Sequence, residues 1–463
     1  MISLINVYKK MPKIIQFPID YIYGAIPYSL KYGAIYRETK DLLSKSEWWS
    51  EEQHIKYQER KMKELLIYSY EHVPYYKGIF KECGFDPYTF KHLKEIEVLP
   101  FLTREIISEN LKDLIADNIK PSKIIKRSTG GTSGKQLYFY DEKSTDAKEW
   151  PFVESIWARV GYNSKCTFAS LRNQAINGDK PYTYSWKQRS LILDNFHTND
   201  ESIKSMLDKL CEDRIEYIHT YPSAILAFCE YINRTGYHMT YAPKAILATS
   251  ENVYPGQKEI IESAFNCKMI TFYGHTERAC IAGWCEHSNL YHINSEYGYT
   301  ELIDQNKKVI TDTNIEGEIV CTGFNNMAMP FIRYQTGDYS SYAEDKCSCG
   351  RAYKLLNNIE GHRRQEMIVC KDRSTISVTA LNVHSDIYKN VKKYQLYQDT
   401  IGICTMNIVK SDGYSIKDET AIRQEFMNML GDTIDLKIKY VSDIEKTKAG
   451  KYKYMIQKLS IDD

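Results

Sequence analysis

Nine consecutive residues, Arg127-Ser128-Thr129-Gly130-Gly131-Thr132-Ser133-Gly134-Lys135, form the sharpest chemical segment of the chain. Three glycines let a backbone turn tightly and approach an anion closely. Amide groups and the hydroxyls of Ser128, Thr129, Thr132 and Ser133 can then wrap phosphate oxygens, and Lys135 adds a positive point charge. The spacing is not that of a Walker A loop, which needs four residues between its first glycine and Gly-Lys and a Ser or Thr after the lysine; here Gln136 follows. Gly, Ser and Thr are also common in plain surface loops. Alone, the segment tilts only modestly toward phosphate binding.

Three more segments follow. Tyr273-Gly274-His275-Thr276-Glu277 reads, by itself, as a strand-to-helix turn with an acidic first turn. Tyr334-Gln335-Thr336-Gly337-Asp338 reads as a turn between strands, where Thr-Gly-Asp is commonplace. Lys446-Thr447-Lys448-Ala449-Gly450-Lys451 ends in one exposed lysine among many. No single segment is decisive, but in this order and at these distances the four resemble the motifs of the adenylate-forming enzymes, the superfamily of acyl- and aryl-coenzyme A ligases. The form of the first is most similar to the phenylacetate–coenzyme A ligase branch, which includes relatives encoded with capsular polysaccharide genes. The resemblance runs from the helical N-terminal region to Lys451.

That resemblance implies a role for each segment. Ser128 to Lys135 would cradle the phosphates of ATP. Tyr273 and Gly274 would lie against the adenine and Thr276 would contact phosphate. Glu277 would help hold Mg²⁺, a hard cation suited to a carboxylate. Asp338 would accept hydrogen bonds from both ribose hydroxyls, and Lys451 would neutralise charge as the substrate carboxylate attacks the α-phosphate. The family usually has an arginine soon after that lysine; this chain has Lys453. The interdomain Gly-Arg of the family is replaced by Gly361-His362, which leaves Glu366 as the candidate hinge residue and Arg363 as the candidate for the missing charge. His219-Thr220-Tyr221-Pro222-Ser223 matches the family's Tyr-Pro-Ser turn, so Tyr217, His219, Tyr221 and Phe228 are candidates to line an acid pocket, or equally are core aromatics under a loop.

Cys347-Ser348-Cys349-Gly350 looks like half a zinc knuckle, with glycine permitting a tight turn. The other half could be Cys285 with His287, or Cys285 with His292. A closed set of four N and S ligands would make the zinc structural. Some relatives in the phenylacetate ligase branch carry a zinc with Cys, His, Cys and Cys ligands. The competing account is a pair of free thiols and polar loop histidines.

These groups need elements to position them. Between 124 and 345 apolar runs alternate with helical patterns, as in α/β layers. Lys165–Leu171 and Ala245–Ala248 read as buried strands, and Ser202–Cys211 and Tyr254–Phe265 as helices. Val309–Tyr334 reads as strands joined by turns at 316–318 and 322–323. Residues 1–120 read as mostly helical, with Ser50 starting a helix that runs to about Tyr70 and ends before Pro74. Beyond 361, β-rich stretches at Ile401–Val409 and Leu436–Tyr440 flank a helical stretch, Lys417–Leu430. The expected fold is α/β: a large N-terminal domain, 1–360, binds ATP and the acid, and a small mobile α+β domain, 361–463, carries Lys451.

Composition bounds the rest. A chain of 463 residues has room for two or three domains, and a net charge of +1 offers no global field for nucleic acid. Twelve cysteines without a secretory signal do not read as a disulfide framework, and they fit a reducing, cytoplasmic setting. No apolar run is long enough to span a membrane. The nearest, Ile14 to Tyr36, is interrupted by Pro18, Asp20, Pro27 and Lys31. It could lie on a membrane or against a partner, though packing on its own domain is the expected outcome.

The activity these residues imply is formation of an acyl-adenylate from ATP and a carboxylic acid. The acyl group would then pass to coenzyme A, or to an amine or hydroxyl on a sugar or carrier in surface polysaccharide biosynthesis. A non-catalytic nucleotide-binding or scaffold protein would need neither Lys451 nor Glu277. A glycosyltransferase would be expected to show an Asp-x-Asp pair beside a strand.

Overall fold

The computed structural model describes residues 8, 11–128, 137–172, 174–176, 178–253, 256–344, 346–359, 367–381, 386–388, 390–444 and 455–459. Thr129 to Gln136, Glu360 to Glu366 and Lys451 lie outside these residues, so the phosphate loop beyond Ser128, the hinge and the C-terminal lysine keep the status the sequence gives them.

The N-terminal region is helical for local reasons. Ser50 caps the helix Glu51–His72 through a capping box with Gln53. The helix stops where Val73 precedes a proline, and Pro74 opens the next, Pro74–Glu82, at a position where its missing N–H costs nothing. Thr103 caps the short helix Arg104–Glu109, accepting from the Ile106 amide. One face of these helices (Met62, Leu65, Leu66, Phe80, Ile107) packs with Phe324, Phe331 and Tyr334 into a core of its own.

A two-stranded hairpin follows, β1 (Ile124–Ser128) and β2 (Tyr138–Glu142), with Ser128 paired to Tyr138 at the base of the glycine-rich segment. The main sheet contains β3 (Phe168–Leu171), β4 (Tyr182–Ser185), β5 (Ser190–Leu193), β6 (Tyr217–Thr220), β7 (Ala245–Ala248), β8 (Lys268–Gly274), β9 (Ile281–Gly283) and β10 (Tyr291–Ile293). A smaller antiparallel sheet holds β11 (Gly298–Ile303), β12 (Val309–Ile310), β13 (Gly317–Gly323) and β14 (Tyr334–Ser340). The chain then returns to the edge of the main sheet as β15 (Leu355–Leu356), giving the order β15-β10-β9-β8-β7-β6-β3-β5-β4. Strands β5, β3, β6, β7 and β8 pair in parallel. All four residues of β7 are buried, as expected of a parallel strand covered on both faces. The crossovers are the helices Asp200–Glu212, Pro222–Thr235 and Gln257–Phe265. The chain is therefore α/β where the alternating pattern places it.

Some boundaries differ from the sequence reading. Gly317 and Gly323 are the two ends of strand β13, not turn residues on either side of it. Both face neighbours too close for a side chain: a Cβ at Gly323 would stand 2.9 Å from Ala279 Cα, and one on its partner Gly298 would stand 2.4 Å from the Ala279 carbonyl. These glycines let the segment after Glu277 press directly onto the smaller sheet.

The C-terminal domain is separate and α+β. It begins with the hairpin β16 (Met367–Val369) and β17 (Thr375–Ser377). Strands β18 (Val391–Thr400), β19 (Ile403–Lys410), β20 (Asp435–Tyr440) and β21 (Met455–Gln457) then form a sheet in the order β20-β19-β18-β21. The helix Ile416–Leu430 starts at a Ser415–Asp418 capping box and buries Ile422, Phe426 and Leu430, spaced four apart on one face.

Candidate active site

The two central motifs lie on different sheets and meet. Tyr273 is near the end of β8, and Asp338 is in β14. The Tyr273 hydroxyl donates to Asp338 Oδ2 at 2.8 Å. Gly337 adopts φ +77°, a backbone state glycine accepts without strain, and Thr336 Oγ1 accepts from the Asp338 amide at 3.1 Å. The Asp338 carboxylate is thereby fixed beside an aromatic ring, half-buried.

Glu277 makes the second link. It is buried, and its Oε1 accepts from the Tyr334 hydroxyl at 2.8 Å and from Arg104 Nη1 at 3.4 Å. His275 Nδ1 lies 3.4 Å from its other oxygen. Burial pushes the Glu277 carboxyl up, but His275, Arg104 and the Tyr334 hydroxyl together draw it down to about 2. Burial likewise pushes His275 down, and the neighbouring Glu277 more than offsets this, so its pKa is raised. Glu277 is thus a carboxylate kept ionised inside the protein. Thr276 is exposed beside it.

Arg104 carried no signal in the sequence, and Tyr334, the first residue of the third segment, was given no role there. They arrive by long-range pairing: Leu102 N–H donates to the Arg333 carbonyl at 3.0 Å, and Gln335 N–H donates to the Leu102 carbonyl at 3.0 Å. This bridge pins the start of the helix Arg104–Glu109 beside β14. A second unread group sits under the phosphate-loop hairpin. Arg278, at φ +56°, contacts Asp146 at 2.6 Å, Glu149 at 2.8 Å and Asp141 at 3.5 Å. Arg127 reaches Asp146 at 3.2 Å and Asp141 at 3.6 Å. The residue after Glu277 therefore ties the turn at 274–277 to both strands that flank the glycine-rich segment.

The candidate acid pocket is only partly open. Tyr217, Tyr221 and Phe228 are buried in the main core. His219 is less so; Arg172 Nη1 stands 2.6 Å from its Nε2, and burial with that guanidinium pushes its pKa well down. Arg172, at the end of β3, is a further polar group that the sequence did not single out.

At the far edge of the main sheet, Cys285, His292, Cys347 and Cys349 bring one ligand atom each within 4.8 Å of one another. Strand pairing does this: His292 of β10 lies opposite Gly283 of β9, two residues before Cys285, and opposite Leu355 of β15, which draws in the turn at 347–350. The Cys285 and Cys347 sulfurs are 3.3 Å apart, and His292 Nε2 is 3.2 Å from the Cys349 sulfur. With bonds of about 2.3 Å to sulfur and 2.0 Å to nitrogen, a tetrahedral zinc sets its ligands about 3.5 Å (S–N) and 3.8 Å (S–S) apart, so the set closes around it with shifts of about an ångström or less. The other ring nitrogen of His292 faces the Leu290 carbonyl at 3.1 Å, the outer partner that fixes a metal-binding tautomer. Of the two histidines the sequence left open, His292 is in the cluster. His287 is exposed and contributes its backbone N–H to Cys285 instead, at 3.3 Å. All twelve cysteines are free; Cys229 and Cys404 are buried and Cys211 is half-buried.

A family model described as the CapK C-terminal domain matches residues 368–458. Protein CapK of Staphylococcus aureus is 21% identical over 416 residues, covering 87% of this chain and 89% of that protein. A phenylacetate-coenzyme A ligase of Thermus thermophilus is 24% identical over 370 residues, covering 73% and 77%. Among solved structures, 2-hydroxyisobutyryl-CoA ligase in complex with 2-HIB-AMP and CoA, in its thioesterification state, superposes with a TM-score of 0.58 at 17% identity over 89% of this chain and 91% of that one. The same ligase in its postadenylation state gives 0.57. The fold is that of the adenylate-forming ligases. In sequence it is similar to CapK and to phenylacetate–coenzyme A ligases, and its residues 368–458 match the CapK C-terminal domain.

Proposed function

We propose that the protein activates a carboxylic acid with ATP, forming an acyl-adenylate and pyrophosphate, and then transfers the acyl group to coenzyme A. The observation that carries this is the meeting of Tyr273, Asp338 and an ionised Glu277 where the two N-terminal sheets join, beside the hairpin that bears the glycine-rich segment. In this reading Tyr273 and Gly274 take the adenine, and Asp338 exchanges its Tyr273 contact for the ribose hydroxyls. Glu277 would hold Mg²⁺, which would supply positive charge against the phosphates, with Thr276 on phosphate and Ser128 to Lys135 around the phosphate chain. The substrate carboxylate oxygen attacks the α-phosphorus, the bond to the bridging oxygen breaks, and pyrophosphate leaves. Lys451 offsets the charge that builds on the α-phosphate oxygens, by charge stabilisation at the reacting centre. The acceptor nucleophile then attacks the acyl carbon and AMP leaves. The domain boundary at 360/361 and a rotation of the small domain between the two steps belong to this proposal, as does a cytoplasmic setting.

Coenzyme A is favoured as acceptor by the relatives named as coenzyme A ligases. The test is pyrophosphate release against a panel of aromatic, fatty, hydroxy and amino acids, with and without coenzyme A. Acid-dependent release without coenzyme A, and a thioester on adding it, is the expected outcome. Adenylate that accumulates until a sugar or carrier amine or hydroxyl is supplied would move the acceptor to that class. No release with any acid would leave a nucleotide-binding scaffold as the better account.

Asp338→Ala should weaken ATP binding by roughly a hundredfold or more, since two charge-assisted hydrogen bonds are lost and each is worth roughly 1.5–3 kcal/mol. Calorimetric titration with ATP reads this directly. Tyr273→Phe, which removes only the hydroxyl that holds Asp338 in the free protein, should change the affinity far less. An unchanged dissociation constant in Asp338→Ala would reduce Asp338 to a turn residue.

We further propose one structural zinc per chain on Cys285, His292, Cys347 and Cys349. Elemental analysis should find the metal stoichiometrically, and His292→Ala should lose it while His287→Ala keeps it. Metal-free protein that melts at the same temperature as the metal-containing form would overturn the site.

A further inference from the structure

The segment expected to pack on its own domain does so along one narrow side only. The helix Lys13–Ala25 docks through Phe17, Tyr21 and Gly24, which recur at intervals of four and three residues and so share a face. Phe17 and Tyr21 pack on the Trp186 ring with centroids at 5.3 and 5.6 Å. Gly24 lies against the Trp186 carbonyl so closely that a Cβ would stand 2.0 Å from it. Trp186 is in the connection between β4 and β5, at the end of the main sheet's order, and Tyr184 of β4 meets it edge-on with centroids 4.7 Å apart.

The opposite side is also apolar. Ile15, Ile19 and Ile22 keep the same spacing two residues earlier or later than the docking set, about 200° around the helix at 100° per residue. Ile15, Ile19 and Ile22 are 47%, 41% and 63% exposed, Phe17 and Tyr21 themselves keep 51% and 55% of their surface open, and Ile14 is 83% exposed, so most of the helix's apolar surface is uncovered. Gly24 is the one buried residue among those described in this helix. A helix apolar on both sides is normally covered on both.

Charge identifies what covers it. Lys31 Nζ lies 4.5 Å above the Tyr23 ring and Lys187 Nζ lies 5.7 Å from the same ring. Arg189 Cγ is the third neighbour that a Cβ on Gly24 would meet, at 3.2 Å. Burial lowers the Lys31 pKa, and the nearby Arg189 and Lys187 lower it further. Among the described residues none of these three cations has a carboxylate ion-pair partner. The first 36 residues hold four lysines, Lys9, Lys10, Lys13 and Lys31, against one acid, Asp20, and that acid accepts from the Tyr8 hydroxyl. Outward isoleucines, a flanking set of tyrosines and a tryptophan, and unpaired cations are the features of a helix that lies in the headgroup region of a membrane.

We propose that the helix Lys13–Ala25, with the 184–189 connection, is a peripheral docking surface for an anionic lipid bilayer. The helix is about 20 Å long and a hydrocarbon core is about 30 Å thick, so it lies in the interface and does not cross. The isoleucines enter the acyl boundary. Lys31, Lys187 and Arg189 meet the headgroup phosphates, and Trp186 with the tyrosines sits between the two. The proposal stands whether or not the chain forms acyl-adenylates.

The test is co-sedimentation of the full chain with vesicles of phosphatidylcholine alone and of phosphatidylcholine with phosphatidylglycerol. Binding is expected to the anionic vesicles, weakening as salt rises. Replacing Lys31, Lys187 and Arg189 together by glutamine should weaken it by roughly a hundredfold, from about fivefold per cation near an anionic surface. Ile15→Asp with Ile22→Asp should abolish it with the melting temperature unchanged, because neither side chain contributes to the core. A chain that stays in the supernatant with anionic vesicles overturns the proposal, as does binding by both the charge variant and the isoleucine variant equal to the parent's. A dimer in analytical ultracentrifugation that the isoleucine variant splits, without vesicle binding by the parent, would assign the face to a second copy of the chain instead.

Discussion

Lys451→Ala abolishes acid-dependent pyrophosphate release and leaves ATP binding largely intact: that is the expected result, and it is the largest effect a single substitution should produce here. The groups proposed to hold the nucleotide, Tyr273, Asp338 and Glu277, all belong to the N-terminal domain and already hold one another in place. None of them needs the lysine. What Lys451 supplies is positive charge at the α-phosphate while the carboxylate attacks, and removing one such preorganised group costs on the order of 10²–10³ in rate. The defect should be confined to the first half-reaction. Acyl-adenylate supplied preformed should still pass its acyl group to the acceptor in the variant, because that step breaks the bond to the acyl carbon and leaves the α-phosphate unattacked. Lys453, two residues on, is the built-in control; Lys453→Ala should retain pyrophosphate release. Normal adenylation by Lys451→Ala would remove the lysine from the mechanism. Equal loss of both half-reactions would show that the substitution damages the small domain.

The features legible in the sequence were the ones encoded locally. Ser50, three residues before Gln53 and ahead of an apolar periodicity, announces a helix that the structure starts at Glu51. Ala245–Ala248 is an uninterrupted apolar run and is a central parallel strand. Lys417–Leu430 was read within one residue of the helix Ile416–Leu430. That the Tyr273 and Asp338 segments lie together was not readable from their spacing, although the glycine at 337 was: it supplies the positive φ that presents Asp338. Nor were the supporting groups legible. Arg104 lies 173 residues from Glu277 and Tyr334 lies 57 residues away; neither sits in a motif that advertises the contact. Gly317 and Gly323 looked like turn signals because a glycine that permits close approach and one that permits a turn are the same letter. The N-terminal helix misled differently. Its apolar content suggested packing on the domain, and only the position of Trp186 shows which side is used and which is left outside.

The other large effect should come from Arg278, a residue with no catalytic role in this account. Its guanidinium stands among Asp141, Asp146 and Glu149, with Arg127 as the other cation of the group. Burial pushes the Asp141 and Glu149 carboxyls up, and Arg278 is the main group pulling them back. Burial pushes the same way on the more open Asp146, but Arg278 and Arg127 prevail and its pKa falls. Arg278→Gln leaves three carboxylates gathered around a neutral amide. Removing one partner of a buried charge set costs about 3–5 kcal/mol, because the remaining charges stay desolvated. The melting temperature at pH 7 should fall accordingly, with ATP affinity, since the hairpin carrying the glycine-rich segment loses its tie to the turn at Glu277. The pH dependence separates this cause from a simple packing defect. In the variant, Asp141 and Glu149 have folded-state pKa values raised above their unfolded ones, so they destabilise the fold when ionised. As pH falls through those raised values the folded state takes up protons first, and the penalty shrinks. The gap in melting temperature between the variant and the parent should therefore narrow from pH 7 to pH 5. Arg278→Lys, which keeps the charge but not the planar fork, should recover part of the loss at pH 7. A variant that melts with the parent at pH 7, or a gap that stays constant as the carboxylates are titrated, would show that Arg278 is not what holds the phosphate-loop hairpin to the adenine side of the site.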